Sequence, residues 1–287
     1  MREIIDFHTH PYETLEECSC MYKDSFFLSS EEAKADLQNA GITHICGSVI
    51  EPGRDCAKEG FAYIRRLNDK ACKLEQDYQG YYTPGFHVHP DYVRESCEEI
   101  ERMHKKGLRL IGELVPYMHG WSDYSNRNFA EILDVAEQYG MIISYHTVEK
   151  EAEQMERMIS EHKKLIFVAA HPGQRAGYEQ HIERMSRHEN AWLDLSGTGL
   201  FRYGMLSYGV KKLGSERILF GTDYPICNPG MYVQAVLHEH ITDKERENIF
   251  SGNAKRLFSA RQKQPGRTKG RRDAVYYFIF DNRKKSR

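Results

Sequence analysis

Eight short apolar runs, separated by stretches whose apolar residues recur near every 3.6 positions, restrict this chain more than any other feature. The runs are Ile4–Phe7, His44–Val49, Tyr82–Phe86, Arg109–Leu114, Met141–Tyr145, Leu165–Ala170, Ala191–Leu195 and Ile218–Phe220. Their length and content predict strands. The stretches Glu31–Ala40, Cys56–Leu74, Tyr92–Lys106, Phe129–Tyr139 and Ile182–His188 predict amphipathic helices. Gly41, Gly107 and Gly140 stand just before a strand, where a left-handed residue closes the preceding helix. Such alternation builds either an open doubly wound sheet or a closed (β/α)8 barrel.

The polar residues at the strand ends separate these two folds. His8 and His10 close the first run, Glu113 the fourth, His146 the fifth, His171 the sixth and Asp223 the eighth. An open sheet collects its site at one switch point, whereas a barrel gathers the ends of all its strands. The pattern therefore predicts an α/β fold, a single-domain (β/α)8 TIM barrel over residues 1–260. The chain has 287 residues, and such barrels run to about 250. Residues 261–287 read as a basic C-terminal extension. They hold ten Lys/Arg against Asp273 and Asp281, a net of +8, which leaves 30 basic and 40 acidic residues, −10, on the body. An acidic body argues against a nucleic-acid partner.

Seven cysteines without a C-x-x-C pair fit a reducing compartment, and Cys18 and Cys20 read as free surface thiols in a loop. The chain opens almost directly in a strand, and no stretch approaches about 18 uninterrupted apolar residues. A cytoplasmic protein without a membrane span is expected; association of copies stays open.

Imidazoles and carboxylates at converging strand ends are ligands for zinc or a similar divalent ion. His8 and His10 are two apart on one strand, so both point to the same side, roughly 7 Å apart at the backbone. His146 and His171 would each be unremarkable core histidines elsewhere, but both stand at the mouth of an apolar strand. Asp223 precedes Tyr224-Pro225 and reads either as a turn former or as a carboxylate touching both an ion and its water, able to take up the water's proton. Glu113 inside an apolar strand is costly unless paired or metal-bound; facing inward, it can bridge two ions. A second H-x-H, His87 and His89, reads as outer hydrogen bonding, with His89 a candidate substrate contact. Arg54, Tyr117, His119, Trp121, Arg175 and Arg202 fall in loops after strands; Arg54, Tyr117 and Arg175 are carried as substrate contacts, and an arginine in the pocket would favour an anionic substrate.

These residues resemble the amidohydrolase superfamily, in its amidohydrolase-related branch, over roughly residues 4–259. The likeness rests on Asp6-Phe7-His8-Thr9-His10, Ala170-His171-Pro172-Gly173, Trp192-Leu193-Asp194-Leu195-Ser196-Gly197, Ile218 to Pro225, and Gly252 to Phe258. It implies a metal-bearing barrel with His8, His10, His146 and Asp223 as core ligands. His171 matches a histidine that is a ligand in binuclear members and acts on water or substrate in mononuclear ones. Glu113, preceded by Gly85 to Pro90, is similar to the TatD-like hydrolases, where such a glutamate bridges two ions. No carboxylated-lysine candidate stands at that strand end.

The expectation is a hydrolase with one or two divalent ions, zinc foremost and manganese as an alternative. A metal-activated water would attack a small amide, ester or lactone, with Asp223 and His171 as catalytic groups. The alternative is a metal-dependent decarboxylase or hydratase of a small unsaturated or aromatic acid, since the branch contains both. A metal-binding scaffold without catalysis would predict gaps in the ligand set, and the set has none.

Overall fold

The computed structural model describes residues 2–25, 28–52 and 56–259. Eight parallel strands, β1 (Ile5–Thr9), β2 (His44–Gly47), β3 (Tyr82–Phe86), β4 (Leu110–Leu114), β5 (Ile142–His146), β6 (Ile166–Ala170), β7 (Ala191–Asp194) and β8 (Ile218–Leu219), pair in sequence order. The chain after β8 returns to β1 through Phe7 N–H to Phe220 O (2.8 Å), Asp223 N–H to His8 O (2.9 Å) and His10 N–H to Tyr224 O (2.7 Å), which closes the barrel. The predicted single-domain (β/α)8 fold is the observed one.

The connecting helices are α1 (Ser30–Asn39), α2 (Cys56–Glu59), α3 (Phe61–Asp77), α4 (Val93–Lys105), α5 (Pro116–His119), α6 (Arg127–Gln138), α7 (Ala152–Glu161), α8 (Arg175–Arg187), α9 (Met205–Leu213), α10 (Pro229–Leu237), α11 (Asp243–Glu247) and α12 (Asn253–Ser259). Their apolar faces cover the sheet: Ser96, Ile100 and Met103 of α4 and Phe129, Ile132, Leu133 and Ala136 of α6 are all buried. The expected helix Cys56–Leu74 is interrupted at Gly60, whose φ of +62° only glycine adopts freely. The helix expected from Ile182 begins seven residues earlier, at Arg175.

Alternation along the strands divides two cores. Ile142 lies on the same face of β5 as His146, and Trp192 on the same face as Asp194 of β7. With Leu110, Val168 and Leu219 they form an apolar cluster that α12 completes through Leu257 and Phe258. The seven cysteines are free, as expected, but Cys18 and Cys20 are buried rather than on the surface, because both pack into the main apolar cluster. No helix among the described residues is long and apolar enough to cross a membrane. The basic extension 261–287 lies outside the described residues.

Candidate metal centre

Glu113 is the centre of the site. Its Oε2 lies 3.3 Å from His8 Nε2 and 3.4 Å from His10 Nε2, while its Oε1 lies 3.0 Å from His146 Nδ1 and 3.3 Å from His171 Nε2. Asp223 Oδ1 joins the first pair, 3.5 Å from His8 Nε2 and 3.4 Å from His10 Nε2. All six residues expected at the strand ends are thus brought together. The arrangement has two faces: His8, His10 and Asp223 against one carboxylate oxygen of Glu113, and His146 and His171 against the other. Two sets of three ligands, His8, His10, Asp223 and His8, Glu113, His171, have their donor atoms close enough to share an ion.

Outer hydrogen bonds fix which imidazole nitrogen faces inward. His10 Nδ1 donates to Ser48 O at 2.9 Å, so its Nε2 carries the lone pair. His8 Nδ1 lies 3.0 Å from Asp194 Oδ2, a carboxylate that can only accept, and the same tautomer follows. Ser196 Oγ donates its one proton to Asp194 Oδ1, which leaves it to accept from His171 Nδ1 at 3.1 Å. His171 Nε2 is then also free of a proton. Asp194 and Ser196 lie within a segment singled out in the sequence, but no role was read for either. Only the buried Asp two residues after Trp192 on β7 could have hinted at one.

The electrostatics fit a cation. Burial works against protonation of His10, yet the Asp223 and Glu113 carboxylates override it and raise the imidazole to about 9. His8 is likewise held well above the usual histidine range: burial opposes, and Glu113 and Asp194 outweigh it. Burial would push Glu113 up, but His8, His10, His146 and His171 hold it well below the usual carboxylate range. The ion pairs of Glu113 among the described residues are all with imidazoles, never with a lysine or arginine. With no ion bound the carboxylates draw protons onto His8 and His10; a divalent cation there would supply that positive charge instead. Nitrogen and oxygen donors in this ratio suit a divalent transition metal.

Two of the six residues sit on strained backbone. His171 and Asp223 have φ of +68° and +69°, a left-handed conformation uncommon outside glycine and typical of functional sites. Asp6 holds the second of these turns by accepting from Thr222 N–H (3.0 Å) and Thr222 Oγ1 (2.6 Å). Gly197 makes room for the first: a Cβ there would stand 2.3 Å from His171 Nδ1.

The expected substrate contacts fare unevenly. Tyr117 is 65% exposed with its ring 5.2 Å from that of His146, which places it at the rim of the site. His89 is buried with both nitrogens engaged, Nε2 by His119 O (2.9 Å) and Nδ1 by Asp91 N–H (3.1 Å), so it is a packing group in this structure. His87 is held by Val49 O at 2.8 Å. Arg175 is solvent-exposed on α8 and paired with Glu179 at 3.0 Å, and Arg202 pairs with Gln174. Arg54 lies outside the described residues.

A family model described as amidohydrolase matches residues 5–260. The match does not single out the TatD-like hydrolases. No curated protein sequence matches the chain. Among solved structures, a 2,6-dihydroxybenzoate decarboxylase from Rhizobium is 15% identical with a TM-score of 0.68, over 90% of this chain and 99% of that one. An uncharacterised TIM-barrel protein from Bordetella bronchiseptica is 18% identical with a TM-score of 0.72, over 90% and 98%. A dihydroxybenzoic acid decarboxylase from Polaromonas, solved with manganese and the inhibitor 2-nitroresorcinol, is 16% identical with a TM-score of 0.62, over 90% and 97%. At these identities the likeness is one of fold.

Proposed function

Because the chain belongs to the amidohydrolase family, we propose that it is a metal-dependent enzyme that hydrolyses a small carbonyl compound, an amide, ester or lactone. The observation that carries this reading is the two-faced Glu113, with one oxygen toward His8 and His10 and the other toward His146 and His171. A carboxylate so placed suits a pair of ions sharing it. His8, His10, Glu113 and Asp223 would hold one divalent ion, and His146, His171 and Glu113 a second. Bound ions would supply an acidified water and polarise the substrate carbonyl.

The protein's own groups do the rest. Asp223 lies beside the His8 and His10 nitrogens, where it can take the proton of the attacking water and return it to the leaving group. Asp194 and Ser196 keep His8 and His171 in the tautomer that presents an unprotonated nitrogen. Tyr117 at the rim is placed to meet the body of the substrate. Zinc suits the imidazole-rich set, and manganese is the alternative, as found in the Polaromonas neighbour.

A second reading, decarboxylation of a small aromatic acid, has its own support. The Rhizobium and Polaromonas neighbours are decarboxylases of hydroxylated benzoic acids, and the comparisons favour this reading over hydrolysis. The deciding experiment is metal content per chain in wild type and Glu113→Gln, paired with assays of lactone, ester and amide hydrolysis and of CO2 release from hydroxybenzoates. Two ions falling to one, with turnover only on the hydrolytic panel, supports hydrolysis. One ion in both proteins, with CO2 release, overturns it in favour of the second reading.

A further inference from the structure

The barrel closes with an extra residue in its last strand. Phe7 N–H bonds Phe220 O at 2.8 Å and His10 N–H bonds Tyr224 O at 2.7 Å, so three steps along β1 (7 to 10) are matched by four beyond β8 (220 to 224). An extra residue in one of two paired strands bends that strand and re-aims a side chain, most often at barrel rims and beside active sites. Here the extra length is taken up at Thr222 and Asp223, where Asp223 has φ of +69°. Asp6 holds the irregularity from the β1 side. Its Oδ1 accepts from Thr222 N–H at 3.0 Å and from His8 N–H at 3.2 Å, and its Oδ2 accepts from Thr222 Oγ1 at 2.6 Å. Thr222 Oγ1 in turn accepts from Tyr224 N–H at 3.1 Å, so this one hydroxyl spans Asp223 from the residue before it to the residue after it. Asp6 and Thr222 are both fully buried.

We propose that Asp6 and Thr222 are positioning residues for the metal centre: they clamp the extra residue of the closing strand and so aim the Asp223 carboxylate at His8 and His10. The two ends of the barrel sequence supply this face of the site, and Asp6 joins them by gripping the His8 and Thr222 backbones with one oxygen. Asp223 N–H then donates to His8 O at 2.9 Å, and the carboxylate Oδ1 lies 3.5 Å from His8 Nε2 and 3.4 Å from His10 Nε2. Without the Thr222 hydroxyl, Tyr224 N–H loses its acceptor and Asp6 Oδ2 its donor. Asp223 is then free to relax out of the left-handed region, and its carboxylate withdraws from the two imidazoles. His146 and His171 meet the other oxygen of Glu113, so the effect is confined to the His8–His10–Asp223 face. The role of Asp6 is one of shape. An amide of the same length keeps every contact, its oxygen taking both backbone N–H groups and its NH2 donating to Thr222 Oγ1, whereas a longer carboxylate displaces the turn. The clamp rests on the reading of the site as a metal centre, not on the number of ions.

The test is a Co2+ titration of chelator-stripped full-length protein, followed by visible absorbance and calorimetry. Asp223→Asn identifies the ion held by the His8–His10–Asp223 face. Asp6→Asn should bind this ion within about 3-fold of wild type, and Asp6→Glu about 10-fold or more weakly. Thr222→Val, which removes the hydroxyl at similar volume, should weaken the same ion by about 10-fold or more, and Thr222→Ser should restore it. A second ion, where wild type binds one, should keep its affinity within about 3-fold in all of these Asp6 and Thr222 variants. If Asp6→Glu does not fold, the two Thr222 variants carry the same question. Loss of binding in Asp6→Asn would assign Asp6 a role through its charge and overturn the clamp. Unchanged affinity in Asp6→Glu or Thr222→Val, a Ser variant as weak as Val, or equal weakening of two ions would overturn it as well. A wild type that binds a single Co2+ removes the two-ion reading, while the clamp stands or falls on the same variants. A wild type that binds none removes the metal centre and the clamp with it.

Discussion

The two ends of the barrel are built on opposite rules. At the floor, polar side chains are tied to backbone carbonyls of the protein itself. Arg109 Nη1 donates to Phe258 O at 3.0 Å, Arg217 Nη1 to Met185 O and His188 O at 2.8 Å each, and Asn253 Nδ2 to Ser215 O and Ile218 O at 2.6 Å each. At the mouth four imidazoles and two carboxylates crowd within hydrogen-bond range of one another, on backbone that includes two left-handed non-glycine residues. The floor is held by bonds within the protein alone, whereas the mouth gathers nitrogen and oxygen donors in an arrangement that suits a cation. In barrels of this kind the strand N-termini carry stability and the C-termini carry chemistry. Here the division can be tested residue by residue.

The largest effect is expected at the mouth. Glu113→Gln removes the group both faces share, and activity should fall by at least about 100-fold, beyond what loss of an outer hydrogen bond costs. After chelation the same variant should melt below metal-free wild type, because the imidazoles lose the buried carboxylate that compensates them. A variant that retains full activity and metal content would place Glu113 among the structural residues. Next comes Gly197→Ala, whose new methyl would meet His171 Nδ1 at 2.3 Å on backbone at φ +60°. Roughly 1–3 kcal/mol of stability should be lost to the strain alone. Activity per folded molecule should drop by about 10-fold or more, read from kcat on the fraction that remains folded. Normal kcat would mean His171 can shift without consequence.

What the sequence disclosed follows the same division. The strands were legible because burial forces apolar runs, and the six mouth residues because imidazoles and carboxylates stand at the ends of such runs. The supports were not legible. Asp194 meets His8 across 186 positions and Ser196 meets His171 across 25; neither pairing leaves a local pattern. His89 looked like His8 and His10, an H-x-H at a strand end, but α5 folds His119 O onto it and uses the imidazole in packing. Arg175 looked like a loop residue because Gly177 obscures the helix start, and it is in fact in the first turn of α8 on the solvent side. Helix α10 has little amphipathic contrast to reveal it, since apolar residues such as Met231 stand exposed while Val233 and Val236 are buried.

At the floor the signs reverse. Asn253→Ala leaves the Ser215 and Ile218 carbonyls without their side-chain donor and should cost about 1–3 kcal/mol. The loss is read by thermal and urea denaturation of the metal-loaded protein. Metal content and kcat of the folded protein should not change. If Asn253→Ala lowers metal content at temperatures where the protein is fully folded, the two ends are coupled and the division fails.

The smallest effect, also at the floor, is a pH dependence. His44 opens β2, is 5% exposed and shares a bond of 2.8 Å with Thr83 Oγ1, and burial lowers its imidazole from 6.5 to about 4. Its folded value lies below its unfolded one, so between these two pH values the unfolded chain takes up a proton the folded chain refuses. Stability from this group is therefore complete above pH 6.5 and lost as the pH falls toward 4, by at most about 3 kcal/mol. His44→Gln, which keeps a hydrogen-bonding side chain without the titration, should flatten that part of the stability–pH curve while metal content at pH 7.5 stays at the wild-type value. An acid limb of unchanged slope would assign the loss to histidines nearer the mouth, such as His87, which burial likewise lowers to about 4. Acid sensitivity would then belong to the catalytic end rather than to the floor.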